Sequence, residues 1–289
     1  MAGFVPWSSQ PIEEWSKKYA AGKFVDLDGH RTHYIEKGEG EPVILLHGFF
    51  FDSCLWNKSL DALAARFKVY ALDFWGFGYS TREPMDCGYP LYADQVLKFM
   101  DALNIRAASL VGQSFGGGTC ISFCVRHRDR VRKLLLVDPA GMPLNMPLLG
   151  KIMNLAGIGE FLLGLNGDFL RKMTLTTLLY DKSLITRDYL DNVTRHQKIK
   201  GSNEASLNFL RKQFVFALLD DIRKLGEMGV PTLIVWGRND KSVPVERGQE
   251  MHRILKGSRL VVLERAGHCP NEEHWQQFNQ LAIDFLSSS

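Results

Sequence analysis

Six short runs rich in aliphatic residues, most ending at a glycine or a polar residue, set the tightest limit on how this chain can fold. Residues 42–46 lead into His47-Gly48, 67–72 into Asp73, 107–111 into Gly112 and 131–137 into Asp138. Two more follow, at 232–236, which stops at Gly237, and at 259–263. Unbroken apolar runs of this length suit strands buried on both faces of a parallel sheet. Helical spacings lie between them, as in Tyr92, Val96, Phe99, Met100 and Leu103, and again in Trp275, Phe278, Ala282 and Phe285. Strand alternating with helix predicts an α/β fold whose sheet is covered on both faces. Residues 32–36, after the Asp28-Gly29 turn signal, add an antiparallel strand at the start.

One stretch breaks this rhythm. From 142 to 226 strand signals vanish, Leu, Met and Phe are dense, and helical spacings dominate. A separate small domain is one reading. An insertion is favoured, because strand signals resume at Thr232. The expected division is a core of 1–141 and 227–289 carrying a helical cap of 142–226.

Charge and cysteine content narrow the function. The 35 Lys+Arg and 32 Asp+Glu are spread along the chain, and a net charge of +3 points to no nucleic-acid partner. The five cysteines are odd in number and irregularly spaced, which argues against a disulfide framework or a zinc site. Residues 1–10 show no secretory pattern, and no apolar run is long enough for a membrane span. A cytoplasmic enzyme is the expectation. Self-association through cap surfaces is left open.

The sharpest motif is Gly112-Gln113-Ser114-Phe115-Gly116, of the form G-x-S-x-G, between a strand and a helical stretch. So sharp a turn needs glycine two residues either side of the serine, where a side chain would meet backbone. A serine hydroxyl then needs a base, and the base an orienting acid. His268, in the loop after the last strand, is the best-placed histidine. Asp240 lies between Ser114 and His268 in sequence, the Ser…Asp…His order that this motif carries. Asp138, which also ends a strand, is its rival. The oxyanion donors are expected to be the N–H groups of Phe115 and of Phe49 in the loop after the 42–46 strand. Phe50 and Phe51 are expected to line an apolar substrate pocket. His47 is read as a residue that shapes this loop.

These residues, with Asp73, Gly76, Gly78 and Ser80 in the pattern D-x-x-G-x-G-x-S, make the chain resemble the α/β-hydrolase family from about Phe24 to Leu286. The resemblance implies a mostly parallel eight-stranded sheet, a cap inserted after the strand that ends near Val137, and no cofactor or metal. Within the family, Ser114 departs from the aspartate of epoxide hydrolases and haloalkane dehalogenases. Residues 180–186 in the cap are similar to a segment of the serine C–C bond hydrolases that cleave aromatic ring-fission products. Three features differ from that group: Phe49-Phe50-Phe51 replaces a glycine-rich loop, Val193 (with Arg195 nearby) stands where a cap arginine is expected, and Cys269 replaces an aromatic. An arginine that binds a carboxylate is not conservatively replaced by valine. On that ground hydrolysis of a small carboxylic ester with an apolar acyl or aryl group is expected, through an acyl-enzyme. C–C hydrolysis of ring-fission products is the alternative, and a non-catalytic ligand-binding protein is the third reading.

Overall fold

All six apolar runs become strands in the computed structural model, which describes residues 5–144, 151–152, 154–165 and 167–288. They are β3 (Pro42–Leu46), β4 (Lys68–Leu72), β5 (Ala108–Gln113), β6 (Val131–Val137), β7 (Thr232–Gly237) and β8 (Arg259–Leu263). Two strands precede them, β1 (Lys23–Leu27) and β2 (His30–Lys37). The eight described strands run in the order β1-β2-β4-β3-β5-β6-β7-β8. Strand β2 pairs antiparallel with β1 and β4, and the pairings from β4 through β8 are parallel.

Side chains alternate between the two faces, as strand geometry requires. Ile44 and Leu46 join one buried cluster with α3 (Tyr89–Ala102) and α4 (Phe115–Arg126). Val43 and Leu45 join another with α2 (Asn57–Ala64) and the C-terminal helix Trp275–Ser287. Helices on both faces are thus what two continuous apolar faces demand.

The cap lies between β6 and β7. Its main described helices are α5 (Ile158–Leu165), α6 (Gly167–Leu178), α7 (Arg187–Thr194) and α8 (Ser202–Lys212). The chain returns to the core where the Leu218 N–H donates to the Gly141 carbonyl at 3.0 Å. Helix α9 (Leu219–Glu227) then buries Ile222 and Leu225 in the same cluster as α3 and α4. The boundary expected at 226 therefore cuts a core helix, and the sheet layers resume at 218. The N-terminal segment departs from expectation too. Gln10 bridges to Ile199, and Trp15 of α1 (Ile12–Tyr19) donates from Nε1 to the Arg195 carbonyl, so this segment straps the cap. Residues 1–4, 145–150, 153, 166 and 289 of the expected core and cap lie outside the described residues.

Candidate active site

Ser114 sits at the junction of β5 and α4 with φ +52° and ψ −116°, in a region that side chains rarely adopt. Its backbone is pinned on both sides. The N–H donates to the Val137 carbonyl at 2.8 Å, and its carbonyl accepts from Gly118 and Ala140. The flanking glycines are required by contact. A Cβ at Gly112 would lie 2.4 Å from the Gly116 carbonyl oxygen, and one at Gly116 would lie 2.2 Å from that of Leu46.

His268 follows β8 and is 5% exposed. Its Nε2 lies 2.8 Å from Ser114 Oγ, and its Nδ1 lies 2.6 Å from Asp240 Oδ2. The other Asp240 oxygen accepts from the N–H groups of Ser242 and Val243, at 2.7 and 3.0 Å, which fixes the carboxylate plane. Gln113 Nε2 donates to the His268 carbonyl at 2.7 Å and ties the histidine loop to the serine turn.

The cap touches this loop directly. The His268 N–H donates to the Leu178 carbonyl at the end of α6. Glu273 accepts from Gly267 with one oxygen and from Tyr180 and Asp181 with the other, at 2.6 to 2.8 Å. One carboxylate thus clasps the histidine loop to the start of the 180–186 segment. Sequence reasoning missed it, since nothing but proximity to His268 marks an acid at 273.

Loop 47–51 packs on the serine turn so closely that a Cβ at Gly48 would lie 3.2 Å from Ser114 Cβ. His47 is fully buried, with Nδ1 against the Gly48 carbonyl and Nε2 accepting from the Phe74 N–H. Burial holds its imidazole below the ordinary histidine range, so it shapes the loop as a neutral group. Phe115 opens α4, where the first N–H groups have no intrahelical acceptor. The Phe49 N–H likewise meets no backbone carbonyl among the described residues. Phe49 and Phe50 wall a cavity between core and cap, together with Phe77, Leu163, Leu170 and Met173. Ser114 and His268 are not in its walls; Gly48, the residue before Phe49, is the one that packs on Ser114. Phe51 departs from its expected role. It is 1% exposed and packs in the second core cluster, because its side chain points away from the cavity that its two predecessors line.

Asp138, the rival acid, is fully buried at φ +40°. Its Oδ1 accepts from the Gly237 N–H at 2.9 Å, and its Oδ2 has no hydrogen-bond partner among the described residues. Ligand atoms of Asp138, Asp240 and His268 lie within 4.8 Å of one another, the described grouping closest to a metal-binding set. Two of the three are already joined to each other by a hydrogen bond, which suits acid–base chemistry. Burial, with Asp240 beside it, pushes the Asp138 carboxyl well above the usual carboxylate range, so it keeps its proton at neutral pH. A carboxyl raised on folding stabilises fully below its unfolded pKa of about 4, and loses that contribution as pH climbs toward the folded value. Asp138→Asn is isosteric with the protonated acid. Its stability relative to the unchanged protein is expected to be level below pH about 4 and to gain about 1.4 kcal/mol per pH unit above it. Urea unfolding of both proteins from acid to neutral pH measures this, and parallel profiles would contradict it.

With this geometry in view, three comparisons place the chain among known proteins. The family model for the alpha/beta hydrolase fold matches residues 41–274. A 2-hydroxy-6-oxo-6-phenylhexa-2,4-dienoate hydrolase of Comamonas testosteroni is 32% identical over 284 residues, covering 94% of this chain and 96% of the relative. A 2-hydroxy-6-oxononadienedioate/2-hydroxy-6-oxononatrienedioate hydrolase of the same organism is 31% identical over 97% of this chain and 99% of its own. Among solved structures, a meta-cleavage product hydrolase of Pseudomonas fluorescens IP01 superimposes with a TM-score of 0.81 at 27% identity, covering 92% of this chain and 97% of that one. These relatives overturn the expectation of a carboxylic ester hydrolase, since they are named for dienoate and meta-cleavage products. Among the described residues no helix is long and apolar enough to cross a membrane.

Proposed function

The chain belongs to the α/β-hydrolase fold family, and from that premise we propose that it hydrolyses a carbon–carbon bond in a ring-fission dienoate, with Ser114 as nucleophile, His268 as base and Asp240 as orienting acid. The observation that carries this reading is the unbroken hydrogen-bond chain from Ser114 through His268 to Asp240, in a chain whose relatives are named for such substrates. In this reaction Ser114 Oγ adds to the ketone carbonyl while His268 takes its proton. The N–H groups of Phe49 and Phe115 meet the oxyanion. The bond from the acyl carbon to its carbon neighbour breaks, and the departing carbon takes the proton held by His268. Water then attacks the acyl-enzyme, with His268 again accepting a proton.

The loop that departs from the glycine-rich pattern is compatible with this reading. Phe50 holds φ +84°, a conformation glycine adopts freely and phenylalanine adopts only under constraint. Two bonds supply the constraint, Gln197 Nε2 to the Phe50 carbonyl at 2.8 Å and the Phe51 N–H to the Gly48 carbonyl at 3.3 Å. A glycine-like turn is thus built without glycine.

The test is a paired substrate panel, 2-hydroxy-6-oxo-6-phenylhexa-2,4-dienoate beside a series of p-nitrophenyl esters. The dienoate is expected to have a kcat/KM at least an order of magnitude above the best ester. The reverse ranking would remove the proposal.

A further inference from the structure

The loop that carries Phe49 is anchored at both ends and strained in the middle. Upstream, the His47 ring is buried and engaged at both nitrogens. Downstream, Phe51 packs in the second core cluster, and Asp52 Oδ1 accepts from the Cys54 N–H at 2.9 Å. Between these anchors Phe50 holds φ +84°. A phenylalanine released from that conformation returns to negative φ. With both anchors held, residues 48–50 take up the change, and the peptide that carries the Phe49 N–H turns with them.

The shorter of the two bonds that hold Phe50 comes from the cap. Gln197 Nε2 donates to the Phe50 carbonyl at 2.8 Å in a buried hydrogen bond, whereas the loop's own bond, from the Phe51 N–H to the Gly48 carbonyl, is 3.3 Å. A second cap residue sets the orientation of this amide. Arg171 of α6 donates from Nε to Gln197 Oε1 at 2.6 Å, and an arginine can only donate, so the amide nitrogen faces Phe50. The Trp7 ring centroid lies 3.6 Å from the Arg171 guanidinium carbon, and the Ser8 N–H donates to the Gln197 carbonyl at 3.2 Å. The neighbouring His196 places Nδ1 3.2 Å from Asp52 Oδ2, with both side chains buried. Two successive cap residues therefore meet the loop on either side of Phe51.

We propose that Gln197 is a positioning residue for the oxyanion hole: through this amide the cap holds Phe50 in the conformation that aims the Phe49 N–H at the substrate's carbonyl oxygen. Gln197 touches no reacting atom and acts through residue 50. Arg171 serves it by orienting the amide, and the N-terminal segment by steadying both. The inference rests on the triad and oxyanion pair proposed for hydrolysis, but not on which substrate is cleaved. A glycine at 50 would need no such hold, since glycine adopts positive φ freely.

A fluorophosphonate reads the hole without the natural substrate. Ser114 Oγ bonds to phosphorus, His268 takes the hydroxyl proton, fluoride departs, and the phosphonyl oxygen occupies the oxyanion position. Gln197→Ala in the full chain is expected to lower the maximal rate of phosphonylation about 30-fold, less than the roughly 100-fold or more that loss of a donor costs. The half-saturating concentration should move less than about threefold, since ground-state binding is untouched. Phe50→Gly has a cost of its own, because it removes an aromatic wall of the cavity. In that background Gln197→Ala should lower the rate less than about threefold, because residue 50 no longer needs to be held. Gln197→Glu keeps an acceptor for Arg171 but, as a carboxylate, cannot donate to Phe50. It should lose at least as much as Gln197→Ala, and it decides the matter if that variant fails to fold. An equal loss in both backgrounds, or an unchanged rate in folded Gln197→Glu protein, overturns the proposal. Failure of the unmodified protein to cleave the dienoate would remove the C–C reading and leave this comparison intact.

Discussion

Ser114→Ala is expected to lower kcat on the dienoate about 10⁶-fold, with the fold intact. The size follows from what the hydroxyl does. It is the atom 2.8 Å from His268 Nε2, and without it neither the covalent step nor the base has a partner. Residual turnover comes from substrate placement and the oxyanion donors alone. The fold should survive because alanine keeps the Cβ and the same φ preference, so the strain at +52° is neither relieved nor increased. The hydrogen bonds that pin the turn run through the backbone and remain. Stopped-flow assay of the pure, folded variant, with a fluorophosphonate probe as a second readout, decides the case. Turnover near that of the unchanged protein would remove Ser114 from the mechanism.

The parts of this fold legible from the chain alone are those where one physical demand dominates. Runs such as 42–46 and 131–137 are apolar because both sheet faces are covered, and they appear as β3 and β6. The motif around Ser114 is legible because backbone lies within contact distance of Gly112 and Gly116 and admits no side chain. Strand β1 was not legible, because Lys23–Leu27 lies at the sheet edge with most of its side chains exposed and shows no apolar run. The end of the cap was misplaced because α9 has the same helical spacing as the cap helices, and only packing on α4 assigns it to the core.

The error about the reaction has a physical origin as well. Phe50 in place of glycine read as a change of chemistry, whereas the backbone at 50 adopts the glycine-type conformation under hydrogen bonds from residues far along the chain.

Asp240→Asn is expected to lower kcat about 10⁴-fold, the loss that follows when the imidazole is held in the wrong tautomer and its cation is left without a charge partner. The presence of Asp138 makes this a sharper test than in a site with one acid. Asp138 lies within reach of the same cluster, so a stand-in is geometrically conceivable. Two features argue that it does not act as one. Its Oδ1 is taken by the Gly237 N–H at 2.9 Å, so turning the carboxyl onto the ring would break a buried hydrogen bond. Burial is also the main reason it keeps its proton, and burial persists when the charge at 240 is removed. A neutral carboxyl cannot balance an imidazolium. Asp138→Asn alone should therefore leave kcat within about threefold, and adding it to Asp240→Asn should cause no further loss, the additivity expected when only one of the two acids serves the histidine. The four proteins, compared by kcat across neutral pH, close the cycle. A double variant far less active than Asp240→Asn would mean that Asp138 ionises and serves the histidine once its neighbour is gone.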